Sequence, residues 1–221
     1  MTSNTKPNFS AAYSKANEIL VKSCVVSNFP FSPVELVKEQ STIKCCTYKR
    51  ALKYGVDIAA FGSESATIIE YGNRQIIFYD DSKPMTHIKY SILHELGHFL
   101  INHDFNVTNK EIYGRYEVET NYFVAQLLMP EQVLRELINR GVCVTKEFLM
   151  QHFNVSETAA KKRIETLAKT TIEWYSRQEK EFDDIILQKF ATFIDSICLP
   201  RKNYFHLDDE FNRQRERDSW F

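Results

Sequence analysis

The sequence predicts an α+β fold, a small sheet beside many helices. Three observations predict it. Strand-like runs are confined to residues 43–79, helical apolar spacing takes over from Pro84, and neither an internal repeat nor a Gly/Ser/Pro-rich linker cuts the chain. At 221 residues with 43% hydrophobic side chains, the chain is long enough to bury a substantial core.

Residues 1–9 read as a loose arm, after which Ala12, Ala16, Ile19 and Leu20 recur at helical spacing. Ser32-Pro33-Val34-Glu35 supplies an N-cap, a proline at the first helical position and a capping-box acid, and so starts a second helix. Ile43–Tyr48 and Val56–Phe61 are expected strands. Thr67–Tyr71 and Ile76–Tyr79 flank Gly72-Asn73-Arg74, the turn of a hairpin. Helices are then expected from Pro84 to about His103, from Tyr113 to Met129, over Pro130–Arg140 and Thr145–Phe153, and from the cap Ser156 onward. Phe182–Leu199 contains Asp183, Asp184, Lys189 and Asp195, which makes it an amphipathic helix broken near Pro200 rather than a membrane span.

Charge removes some function classes. With 28 Lys+Arg against 29 Asp+Glu the chain has no global attraction for phosphate backbones or anionic lipid. The KKR run at 161–163 reads as a solvated helix face, so direct DNA binding is not expected. The five cysteines are odd in number and lack C-x-x-C spacing; they read as reduced, mostly buried thiols. A polar N-terminus without an apolar run points to the cytoplasm.

His94-Glu95-Leu96-Gly97-His98 matches H-E-x-x-H inside the helix expected from Pro84. Two histidines four residues apart share one helix face, so both imidazoles can bind one metal ion, and Glu95 can reach a water polarised by it. At about 100° per residue, Ile88, Ile92, Leu96, Phe99 and Leu100 form an apolar stripe, with His94, Glu95 and His98 on a separate polar edge. A pair of core histidines would not separate in this way.

A hydrolytic zinc site needs a third protein ligand and an open position. His103 is five residues past His98 and, on a continued helix, would project about 180° from His94, so it is set aside as a helix-end residue. The alternative is a carboxylate from the next helix. There Glu117 falls on the face of Val124, Ala125 and Leu128, whereas Glu119 and Gln126 fall together on what reads as the solvated side. An acid on an apolar face is costly unless paired or metal-bound, which selects Glu117. Asn121, one turn on, is expected to hydrogen-bond a ligand histidine. Tyr113, Tyr116, His87 and His103 are all conceivable donors to an anionic intermediate.

HELGHFLINH, followed by E-x-E-x-N-x-F-x-A-x-L-L-M-P as Glu117 to Pro130, resembles the ImmA/IrrE family of zinc-dependent metallopeptidases. The strand-rich segment before the motif and FNVSETAAKKRIETL at 153–167 extend the likeness over roughly residues 30–170. Thr120 and Val124 stand where the family often has alanine. The resemblance implies a zincin-like catalytic domain with one zinc per chain on His94, His98 and Glu117, and Glu95 as the catalytic acid–base. It also implies a substrate: family members typically cleave a helix-turn-helix repressor and so induce mobile-element, prophage or stress genes. The other class of reading is a non-catalytic regulatory or toxin-like interaction module with a structural zinc site, in which Glu95 has no role.

On this reading the chain divides into an N-terminal arm and helix (1–30), a zincin-like catalytic domain (31–141), a helix-turn-helix-like segment packed on the peptidase (142–170) and a helical C-terminal extension (171–221). The third segment is expected to serve packing or repressor docking.

Overall fold

The computed structural model describes residues 6–63, 65–71, 74–105, 107–169 and 177–198. Its elements in chain order are α1 (Phe9–Lys22), α2 (Pro33–Glu39), β1 (Ile43–Thr47), α3 (Tyr48–Lys53), a 3-10 turn (Ala59–Phe61), β2 (Ala66–Tyr71) and β3 (Arg74–Tyr79). Seven helices follow: α4 (Met85–Leu100), α5 (Lys110–Leu128), α6 (Glu131–Asn139), α7 (Lys146–Phe153), α8 (Glu157–Lys169), α9 (Arg177–Lys189) and α10 (Ala191–Ile197). The fold is α+β, as the patterning predicts.

Local chemistry sets the boundaries. Ser32 Oγ accepts from the Glu35 amide with Pro33 opening α2, Asn109 caps α5 through Glu111 and Ile112, and Thr145 caps α7 through Phe148. Asn154, in the left-handed region at φ 51°, turns the chain from α7 into α8.

The sheet order is β1-β3-β2, with β1 parallel and β2 antiparallel to β3. The expected hairpin forms with Ile68 opposite Ile77, but Arg74, expected in the turn, already belongs to β3 opposite Tyr71; Gly72 and Asn73 lie outside the described residues. Period-two alternation places Ile77 in the main core and Phe78 in a second cluster with Tyr48 and Ala51 on the opposite face. Val56–Phe61 is not a strand. It lies against that second face through Val56, Ile58 and Phe61 and forms only the 3-10 turn, because its apolar residues cover the sheet instead of extending it.

One core joins side chains from Ala12 in α1 to Ile194 in α10, so the helices on both sides of the H-E-x-x-H segment share buried contacts. Phe29 lies at ring distances of 4.6–5.3 Å from Phe153, Phe190 and Phe193, tying the chain before α2 to α7 and the C-terminal helices. Helix α5 packs between α4 and α1. The stretch expected as one helix over Phe182–Leu199 is two, α9 and α10, meeting at Phe190; Leu199 and Pro200 lie outside the described residues.

Two surface expectations are corrected. Arg163 of the KKR run is fully buried, donating from Nε to the Met129 carbonyl and from Nη2 to Gln126 Oε1, because α8 turns that residue toward the end of α5. Lys161 and Lys162 remain exposed. All five cysteines are free, yet none is fully buried: Cys24 and Cys143 are exposed, while Cys45, Cys46 and Cys198 are half-buried at the margins of the two apolar clusters. No described helix is long and apolar enough to cross a membrane.

Candidate metal centre

Helix α4 presents His94 and His98 one turn apart on the face turned to α5. The two helices approach closely at Gly97, the residue before His98: a Cβ there would meet Phe123 Cδ1 at 2.8 Å and Thr120 Cγ2 at 2.9 Å. That approach delivers Glu117. His94 Nε2 lies 3.3 Å from Glu117 Oε2, His98 Nε2 3.2 Å from Glu117 Oε1, and the two Nε2 atoms are 3.1 Å apart. Among the described residues these three form the one group of histidine, cysteine or acidic side chains gathered closely enough to hold a metal ion.

One ligand atom from each of the three side chains lies within 4.8 Å of the other two, close enough to share a single ion. The two short contacts to Glu117 run to different oxygens, Oε2 for His94 and Oε1 for His98. Hydrogen bonds from the two histidines hold the Glu117 carboxyl well below the usual carboxylate range, so it stands ionised as a ligand must.

Glu117 is the third member for a different reason from the one that singled it out. Its side chain is 31% exposed in a cleft facing α4, not sealed in an apolar face. Glu119 and Gln126, expected on the solvated side, are buried at 5% and 0% exposure, because α1 docks over them. The Asn8 backbone N–H donates to Glu119 Oε1 at 2.7 Å, and Gln126 Nε2 donates to Asn17 at 2.8 Å.

The buried Glu119 starts a hydrogen-bonded chain toward the site. Its Oε2 lies 3.0 Å from His103 Nε2, and His103 Nδ1 lies 3.0 Å from His98 Nδ1. The 180° argument against His103 fails because α4 ends at Leu100. Asn102 takes φ 60°, its amide donates to the Phe99 carbonyl and the His103 amide to that of His98, a Schellman closure that folds His103 back against His98. Tyr116 stacks on the His103 ring at 4.1 Å and 9°. Burial lowers the His103 pKa and keeps the ring neutral. With Glu119 as acceptor the proton of His103 sits on Nε2, and its Nδ1 accepts from His98 Nδ1–H, which would leave the Nε2 lone pair of His98 for a bound cation in place of the hydrogen bond to Glu117. The sequence signal for this chain is an asparagine just past a helix end, two residues from a motif histidine.

Asn121 does not bond a histidine here. Its Oδ1 accepts from the Tyr90 hydroxyl, and the Tyr90 ring stacks on His94 at 6.1 Å, so it reaches the site through a ring one turn before His94 on α4. Burial, with Glu117 nearby, pushes the Tyr90 phenol up to about 12.

Glu95 stands between the triad and the sheet. Its Oε2 accepts from the Ile68 backbone N–H at 3.0 Å, at the edge of β2 that no strand among the described residues covers. Burial raises its pKa to about 7 against the opposing pull of His98. Of the four conceivable oxyanion donors, His87 engages Ser65, Tyr116 is stacked on His103, and His103 is committed to His98. Tyr113, 54% exposed and one turn before Glu117, has its phenol raised by partial burial and by Glu117, to which it hydrogen-bonds.

A half-buried group of two histidines and a glutamate, with Glu95 beside it on an H-E-x-x-H helix, narrows the choice of family. The model of the IrrE N-terminal-like domain, Peptidase_M78, matches residues 51–165, just over half of the chain. The chain belongs to this family. The matched span runs from within α3 through most of α8 and includes the triad, Glu95 and the Glu119–His103 chain. No curated protein matches the chain.

Proposed function

We propose that the protein is a cytosolic zinc-dependent endopeptidase that hydrolyses a peptide bond in a helix-turn-helix transcriptional repressor, inducing mobile-element, prophage or stress genes. The observation that carries the reading is the placement of Glu95. A structural zinc site has no use for an acid poised near neutrality between the ligands and an open strand edge. His94, His98 and Glu117 would hold one zinc, which supplies Lewis acidity toward water and the scissile carbonyl.

The chain's own groups do the rest. Glu95 takes the proton of the attacking water as its oxygen bonds to the carbonyl carbon, and returns a proton to the amine as the C–N bond breaks. Tyr113, half-exposed one turn before Glu117, would turn its hydroxyl from Glu117 to the developing oxyanion. The uncovered edge of β2 lets an extended polypeptide add as a strand alongside Glu95. The choice of a repressor as substrate rests on the family likeness.

The test compares zinc-loaded wild type with Glu95→Gln on the helix-turn-helix repressors of the same genome, with mass spectrometry locating new N-termini. Cleavage by the wild type and its loss in Glu95→Gln, at equal zinc content, is the expected result. Equal cleavage by both proteins, or none by either, would overturn the reading.

A further inference from the structure

An apolar groove of about 990 Å³ lies on the side of α5 that continues from the metal centre. Its floor is built by Phe9, Tyr13, Tyr122, Leu128 and Ala159, contributed by α1, α5 and α8. Its near wall is Tyr90, Val118 and Asn121, so the hydroxyl–amide pair that backs His94 also borders the groove. The volume is at the upper end of small-molecule sites, about 300–1,000 Å³. Among the described residues the cleft is open and its lining is mainly apolar, which suits a polypeptide face better than an enclosed metabolite.

The rim has a charge asymmetry. Lys6, Lys162 and Lys169 are exposed and form no ion pair among the described residues. The two rim acids differ: Glu131 is paired with Arg135 at 2.6 Å, and Glu179 is buried. Among the described residues the groove thus offers three lysine ammonium groups without a salt bridge around an apolar floor, against Glu179 as a buried acid in the lining.

We propose that this groove is a docking site for an acidic segment of the substrate polypeptide carrying large apolar side chains, anchored there while the adjacent stretch passes the metal centre. The proposal rests on the peptidase reading for the identity of its occupant as substrate. Apolar side chains fill the floor and carboxylates meet Lys6, Lys162 and Lys169, so recognition is set away from the scissile bond. Specificity then comes from the docked segment more than from residues flanking the cut.

Two fluorescein-labelled 16-residue peptides test this by anisotropy on the full chain, both with Leu or Phe at helical i, i+3, i+4, i+7 spacing, one with Glu and the other with Lys at the remaining positions. The acidic peptide should bind and the basic one should not. Lys162→Glu with Lys169→Glu should weaken binding roughly tenfold, while Lys49→Glu with Lys53→Glu, the same charge change on the distant α3, should leave it unchanged. A photo-crosslinker in place of Val118 should capture the acidic peptide. Equal binding of both peptides, absent binding, insensitivity to the rim substitutions, or crosslinks only to residues 170–176 or 199–221 of the same chain or to a second copy would overturn the proposal. Anisotropy reads docking without hydrolysis, so docking in a protein that cuts nothing refutes the peptidase reading alone, and cleavage without docking refutes the groove alone.

Discussion

His103 Nδ1 lies 3.0 Å from His98 Nδ1 although the two residues belong to different turns of chain, one helical and one past the helix end. The contact exists because Asn102 adopts a left-handed conformation and because Glu119, buried under α1, holds the far nitrogen of the same ring. A ring held at both nitrogens has one orientation and one tautomer, and passes that constraint to His98.

Removing this support should weaken zinc binding without unfolding the chain. His103→Ala is expected to lower zinc affinity about 10–100-fold, the usual effect of losing a partner that orients a metal-binding histidine. Competition with a calibrated chelator, alongside circular dichroism, measures it; unchanged affinity in a folded variant would show that His98 is oriented by packing alone.

The close approach at Gly97 makes a second prediction. Gly97→Ala adds a Cβ within 2.8 Å of Phe123 and 2.9 Å of Thr120, and overpacking of this kind costs about 1–3 kcal/mol. The better helix propensity of alanine offsets about 1 kcal/mol of that. The net loss in a urea melt is therefore small, whereas zinc affinity should fall clearly, because the displaced α5 carries Glu117. A variant that binds zinc as tightly as the wild type would contradict the spacer role.

Glu95 gives a spectroscopic expectation. In the metal-free protein its carboxyl should titrate near 7, raised by burial, and loading with zinc should move it lower, since a nearby cation favours the carboxylate. Carbon-13 NMR of the labelled side chain follows both steps. A titration at the ordinary glutamate position without metal would mean that the group is solvated and not held as described.

Lys89 provides a pH test of the core. It is 2% exposed, its Nζ donates to the Phe153 carbonyl at 3.0 Å, and burial lowers its pKa to about 8. Below pH 8 the folded chain bears the full cost of a buried ammonium. Between pH 8 and the unfolded value near 10.5 the folded state releases a proton that the unfolded state retains, so stability rises with pH. Paired urea melts should show the wild type gaining on Lys89→Met from pH 8 to 10; parallel curves would place the ammonium in contact with water.

The sequence by itself determined the α+β class, the hairpin, the caps at Ser32 and Ser156, and the two motif histidines with Glu95. Each depends on local spacing: a period of two, a period of 3.6, or one side chain reaching an amide three residues away. Only the tertiary structure decided which face of α5 meets water. The acid expected in solvent, Glu119, is buried by α1 from more than 100 residues away, and Glu117, expected on an apolar face, lines an open cleft. Helix periodicity reports that two faces differ, but what covers each face is set by elements distant in sequence. The same holds for Arg163, charged and yet buried because α8 packs onto the end of α5, and for His103, whose direction depends on where the helix stops rather than on its period.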